Sequence, residues 1–232
     1  MSRAHKPKAG FWIRLCVLAI YPFDSVFFKL RWHNLERMPE HGPVLVAVNH
    51  ISQLDTAAVA RLIWQSGRIP RFLIKDGVFA VPVVGRVLTG AGQVPVYRGT
   101  SRARESLDAA SAALAAGECV IIYPEGTVTK DPDYWPARAK NGIARIALAN
   151  PDVPVIPIGQ WGAQRSFDQH GKIRLRPRRR HEASLGQPVD LSEFHGQALT
   201  SSVLSAATAK IMAAVTAELA TVRGEQPPSA AR

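Results

Sequence analysis

The sequence predicts an α/β fold, a central and mostly parallel sheet flanked by helices, with an N-terminal membrane-associating helical segment in front of it. Three observations lead there. Short apolar runs rich in Val, Ile and Leu at 44–48, 71–74, 94–97, 119–123 and 153–158 have the length of buried strands. The stretches between them at 56–64, 101–116 and 139–149 read as helices, and strands alternating with helices favour parallel pairing. With 232 residues, 47% apolar and 20% charged, the chain can bury one substantial core and is globular rather than disordered.

At the N-terminus, Arg3, Lys6 and Lys8 precede Phe11, Trp12, Ile13 and an apolar stretch at 15–23. Arg14, Pro22 and Asp24 interrupt it, so it falls short of the roughly 20 consecutive apolar residues that a spanning helix needs. No small-residue cleavage pattern follows, which disfavours a signal peptide. Basic residues beside Trp and Phe suit a segment lying in the headgroup region of an anionic membrane surface. Residues 1–35 are therefore expected to hold the chain, as a peripheral or monotopic protein, to the cytoplasmic face of the cell membrane. The alternative is a helix packed on the domain's own core. Residues 36–222 then form the main domain, and 223–232, with Pro227 and Pro228, a disordered tail.

The run at 44–48 ends in Asn49 and His50, with Asp55 five positions on, where a strand gives way to a helix. A histidine can take a proton near neutral pH, and a carboxylate one turn away can fix its tautomer through the other ring nitrogen. A His/Asp base without a serine partner suits deprotonation of a hydroxyl brought by the substrate. The spacing alone also fits a plain helix start with Asp55 in its first turn. Lys75, at the end of the 71–74 run, either adds positive lining to a site or lies in solvent.

Gly92 precedes the 94–97 run and Arg98 follows it, a guanidinium suited to a phosphate. An alanine-rich helix at 101–116 stops at Gly117. The 119–123 run leads into Pro124, Glu125, Gly126 and Thr127, where a glycine at a strand exit suits close approach of backbone N–H groups to an anion. The run at 153–158 carries Pro154 and Pro157. A closing helix at 198–222 places Leu204, Ile211, Val215 and Leu219 roughly on one face.

The formal net charge of +11 calls for an anionic partner. Zinc-finger spacing, a basic heptad helix and an RNP-like aromatic strand are all missing from the sequence, which argues against nucleic acid. Arg174, Arg176, Arg178, Arg179 and Arg180 are expected after a hairpin strand, either rimming a membrane-facing mouth or as a solubilising loop. Cys16 and Cys119 offer neither a disulfide framework nor a metal spacing and read as small core residues in a reducing compartment. A metal-dependent hydrolase could use His50 and Asp55 as ligands, but the other histidines show no short ligand spacing. Serine hydrolase chemistry lacks its G-x-S-x-G elbow. A non-catalytic basic membrane- or nucleic-acid-binding protein would explain the charge and leave the motifs idle.

In this order the motifs resemble the glycerolipid acyltransferase family, from about Pro43 to Leu191. His50 and Asp55 fill its N-H-x4-D block, GQVPVYR (92–98) the second, YPEGT (123–127) the third and VIPIG (155–159) the fourth. Lys140 and Gly142 resemble the lysine-x-glycine after the third block, and GQPV (186–189) the late glycine-x-proline turn. The resemblance implies O-acyl transfer from an acyl thioester, acyl-CoA or acyl carrier protein, to a phosphate-bearing lysophospholipid, with no cofactor and no metal. By default the acceptor is 1-acylglycerol-3-phosphate and the product phosphatidic acid. It makes His50 and Asp55 catalytic, and Arg98, Glu125, Gly126 and Thr127 substrate-binding, with Glu125 accepting from a glycerol hydroxyl. The family's usual E-G-T-R-S reads here Glu125, Gly126, Thr127, Val128, Thr129. Lys130, two residues beyond Val128, either replaces the missing cation or is a solvated loop residue. Another lysophospholipid or a glycolipid is the alternative acceptor.

Overall fold

The structure is a computed structural model that describes residues 9–97, 102–174 and 178–227. Seven strands form one sheet: β1 (Phe28–His33), β2 (Val44–Val48), β3 (Pro70–Lys75), β4 (Val94–Val96), β5 (Cys119–Ile122), β6 (Val155–Trp161) and β7 (Arg179–Leu185). Their order is β1-β7-β6-β2-β5-β3-β4. The five strands from β6 to β4 are mutually parallel, while β7 runs antiparallel to β6 and β1 parallel to β7.

The apolar runs are continuous rather than alternating because both faces are covered. From β2, Val44, Val46 and Val48 pack with Phe72, Ile121 and Ile156 on one face, against α2 (Asp55–Gln65) and, at its margin, Ile20 of α1 (Phe11–Phe27). Leu45 and Ala47 point the other way with Val120, Ile122 and Val155. That side is covered by α5 (Ala103–Ala115), α6 (Gly142–Ala149) and α7 (Ser201–Arg223). Between β3 and β4 the chain makes α3 (Asp76–Phe79) and α4 (Val84–Gly90).

The 23-residue α7 is long and apolar enough to cross a membrane, yet it lies on the sheet with Leu204, Ile211, Val215 and Leu219 buried. Gly159 of β6 is the reason it can lie so close: a Cβ there would sit 2.0 Å from the Leu219 backbone nitrogen. Thr200 caps the helix start by accepting from Val203 N, and Gly224 ends it in the left-handed region at φ +66°.

One expectation is corrected. The domain boundary at residue 35 falls inside the fold, because Phe28–His33 pairs along β7 and only α1 stands outside the sheet. The arginine cluster does follow a short hairpin, in which Phe167 bridges Ile173 antiparallel and Arg174 N donates to Ser166 O at 2.9 Å. Arg179 and Arg180 open β7, Arg178 donates its backbone N–H to Val26 O, and Arg174 pairs with Asp168 at 3.1 Å. Arg176, the basic residues at 3, 6 and 8, and the tail from 228 lie outside the described residues.

On α1, Asp24 is fully buried and neither carboxylate oxygen has a hydrogen-bond partner. Burial pushes its carboxyl up to about 7, against the pull of Arg61. Since the folded carboxyl holds its proton more tightly than the unfolded one, the linked stability is present at low pH and is lost as pH rises through about 7. Asp24→Asn is therefore expected to raise the melting temperature at pH 8 and flatten its decline between pH 5 and 8, readable by calorimetry.

Candidate active site

Emerging from β2, the chain turns so that Asp55, fully buried at the first position of α2, reaches back under the loop. Its Oδ2 accepts from Ile51 N at 2.8 Å, Ser52 N at 3.0 Å and the His50 ring Nδ1 at 3.1 Å. The carboxylate thus builds the loop and orients the imidazole at once. With Nδ1 held by Asp55, proton transfer would run through Nε2.

The turn after β5 lies against this loop. Glu125 Oε1 accepts from His50 N and Oε2 from Ala137 N, both at 2.8 Å, and Thr129 N donates to His50 O at 2.8 Å. Glu125 is only 4% exposed, and its carboxylate ties the two loops together. Burial raises it to about 7, opposed by the two backbone donors and His50. Gly126 holds φ +74°, a conformation that favours glycine, but its N–H donates to Tyr123 O at 2.9 Å and so serves the turn.

His50 lines a cavity of about 480 Å³ with Phe72, Ile74, Tyr123, Gly126 and Lys140. Gln53, Thr56, Phe72 and Ile74 also border an apolar groove of about 330 Å³ between α1, α2 and α4. Of the expected binding residues, Lys140 and Gly126 reach the cavity. Lys75, Thr127 and Lys130 are exposed and are not among the residues lining it. Arg98 lies outside the described residues. Among the described residues no three His, Cys, Asp or Glu side chains are grouped to hold a metal.

Two features escaped the sequence reading. Asn49 is locked to the end of β6 by three bonds: its Oδ1 accepts from Gln160 N at 2.8 Å, its Nδ2 donates to Gln160 O at 3.1 Å, and its backbone oxygen accepts from Gln160 Nε2 at 2.8 Å. A polar Gln160 at the exit of an apolar strand was the available signal. Tyr123 stacks on the His50 ring, with centroids 4.3 Å apart and planes at 25°, and its buried hydroxyl is pushed upward in pKa by burial and by nearby Asp55.

Glycines in the second and fourth blocks have packing explanations. At Gly92, φ is +67° and a Cβ would lie 2.2 Å from the Arg71 guanidinium. Gln93 next to it accepts from Phe72 N and donates to Pro70 O, fastening the margin of the sheet where β4 begins.

Comparison with known proteins agrees with this geometry. A family model described as Acyltransferase matches residues 29–161, more than half of the chain. A chloroplastic 1-acyl-sn-glycerol-3-phosphate acyltransferase of Brassica napus is 31% identical over 167 residues, covering 68% of this chain and 45% of that protein. A 1-acyl-sn-glycerol-3-phosphate acyltransferase of Neisseria gonorrhoeae is 30% identical over 155 residues, covering 66% of this chain and 55% of that one. The chain thus spans about half the length of these relatives. The crystal structure of the 1-acyl-sn-glycerophosphate (LPA) acyltransferase PlsC from Thermotoga maritima shares the fold, with a TM-score of 0.66 at 20% identity over 93% of this chain and 80% of that one. Because the matched stretch takes in the histidine loop, the turn that supports it and the strand that locks Asn49, the chain belongs to the glycerolipid acyltransferase family.

Proposed function

We propose that the protein moves a fatty acyl group from an acyl thioester, acyl-CoA or acyl carrier protein, to the free hydroxyl of 1-acylglycerol-3-phosphate, giving phosphatidic acid. The observation that carries this reading is a His/Asp pair that faces an apolar cavity while the serine hydroxyl of its own loop is engaged elsewhere. Ser52, the nearest hydroxyl in the loop, donates to Phe167 O at 2.7 Å and is turned away from the chemistry. The hydroxyl to be deprotonated therefore comes with the substrate.

His50 takes that proton as the oxygen adds to the thioester carbonyl, and Asp55 steadies the imidazolium. Collapse of the tetrahedral adduct breaks the C–S bond, and the imidazolium proton goes to the leaving thiolate. No step calls for a cofactor. The groove running from the cavity towards α1 offers an apolar path for an acyl chain. The curated relatives named for 1-acyl-sn-glycerol-3-phosphate support the choice of acceptor.

A membrane setting is supported by α1, which is apolar on two sides. Ile13 and Ile20 turn towards the domain, while Phe11, Leu15, Leu18, Pro22 and Val26 form an exposed stripe. A helix apolar on two sides needs cover on its outer face, and a bilayer surface supplies it. The proposed setting is the cytoplasmic face of the membrane, with Arg14 as the charged residue on the exposed side of α1.

Val128, where the family usually carries arginine, keeps a second reading in view: a glycolipid or another lysophospholipid as acceptor. An acceptor panel assayed with labelled acyl-CoA in vesicles separates the two. Lys140 is the lysine that lines the cavity with His50, so Lys140→Ala is expected to raise KM for a phosphate-bearing acceptor roughly ten-fold and leave the donor KM unchanged. Equal use of an uncharged glycolipid, with no response to Lys140→Ala, would favour the second reading.

A further inference from the structure

The turn joining α3 to α4 presents Val78, Val81, Val83 and Val84 to solvent at 37, 47, 69 and 42% exposure. Val83 is held at φ +67° and ψ −55°, with Val84 N donating to Pro82 O at 2.8 Å. This is the strained, positive-φ form of the γ-turn, and a β-branched residue is a poor choice for it. The turn cannot relax easily. Gly85 brings α4 so close to α3 that a Cβ would lie 1.9 Å from Phe79 O. Residues 78–84 read Val-Phe-Ala-Val-Pro-Val-Val, without a polar side chain. Strain that displays valine to water suggests a surface that is covered when the protein works.

Its neighbour shows what covers it. Gly90, the last residue of α4, packs on the Trp12 indole, where a Cβ would fall 2.3 Å from the ring, and Trp12 meets Phe11 edge-on at 5.3 Å. Phe11 begins the outer stripe of α1, so α4, whose start carries Val83 and Val84, packs at its far end beside the start of that stripe. The exposed residues of α1 and of 78–90 include the cations Arg14 and Arg86 and no carboxylate. Leu88 and Ala91 on one side and Val17 and Ile20 on the other border the apolar groove, which opens between the two elements.

We propose that the α3–α4 turn is a second membrane-docking element, its valines entering the interfacial layer of an anionic bilayer beside the outer stripe of α1. Docking at both places sets the groove between them against the lipid from which a lysophospholipid would enter. The proposal rests on the membrane-lipid reading above and adds a surface to it.

The test uses the full chain and its Val81→Ser/Val83→Gly variant in co-sedimentation with phosphatidylcholine vesicles, with and without phosphatidylglycerol. Glycine relieves the backbone at 83, so the variant is expected to melt no lower than the parent. Its partition onto anionic vesicles should fall about ten-fold, the effect of withdrawing two partly inserted valine side chains. The salt dependence should stay the same, since no charge changes. Unaltered partition would overturn the proposal. So would a parent dimer converted to monomer in sedimentation velocity with vesicle binding intact, which would assign the surface to a second copy of the chain. Partition needs no substrate, so it stands apart from the proposed reaction. That reaction is tested separately by acyl transfer in detergent micelles, where parent and variant should match. Loss of transfer there in the variant would make the turn part of the catalytic fold and count against docking.

Discussion

His50→Ala is expected to lower kcat for acyl transfer by ~10²- to 10⁴-fold, the range that a positioned general base contributes. Stability should barely change. The loop is held by backbone groups: His50 N on Glu125, His50 O on Thr129 N, and Asp55 Oδ2 on the N–H groups of Ile51 and Ser52. None of these bonds uses the imidazole, so the melting temperature should move by no more than about 4 °C. Asp55→Asn should behave differently. The amide can still accept from the two backbone donors, but it cannot balance an imidazolium, so kcat falls while the loop survives. A His50→Ala enzyme turning over near the parental rate, or one that loses its fold together with its activity, would remove the base from the mechanism.

Much of this site could be read in the chain because its parts are local. His50 and Asp55 are five positions apart, and the strand-to-helix transition that brings them together is written in the apolar run before them. The parallel core of the sheet was legible for the same reason, since strands buried on both faces read as unbroken Val and Ile runs. What could not be read depends on partners far away in sequence. Phe28–His33 alternates Phe, Leu and Trp with Lys, Arg and His, a strand pattern, but it follows directly on the apolar N-terminal stretch and pairs with β7 about 150 residues later, and so passed for the end of that segment. Asn49 and Gln160 are 111 positions apart, and neither announces the other. Gly159 enters the sequence reading only as the end of the VIPIG block, whereas its role is to admit the backbone of α7.

Glu125 is where motif and geometry part most clearly. As a ligand residue it would accept from an acceptor hydroxyl, and Glu125→Gln would raise the acceptor KM with little change in stability. As a tie it holds His50 N and Ala137 N, one on each oxygen. Removing it leaves two N–H groups at the base of the catalytic loop unpaired, at a cost of about 1–3 kcal/mol each where water cannot replace the lost partner. Glu125→Ala is therefore expected to lower the melting temperature by about 5 °C or more and to reduce kcat, because the backbone that carries the base is released. Glu125→Gln separates the two roles. Its single carbonyl oxygen can serve one of the two donors, while its NH₂ faces the other, so an intermediate loss of stability is expected. It also cannot titrate. The parental carboxyl, raised to about 7 by burial, adds stability at low pH that is lost as pH rises through that value, so the variant's stability should change less between pH 5 and 8. Melting curves at those two pH values, set beside separate donor and acceptor KM values, decide the matter. A selective rise in the acceptor KM at parental stability would return Glu125 to the binding site.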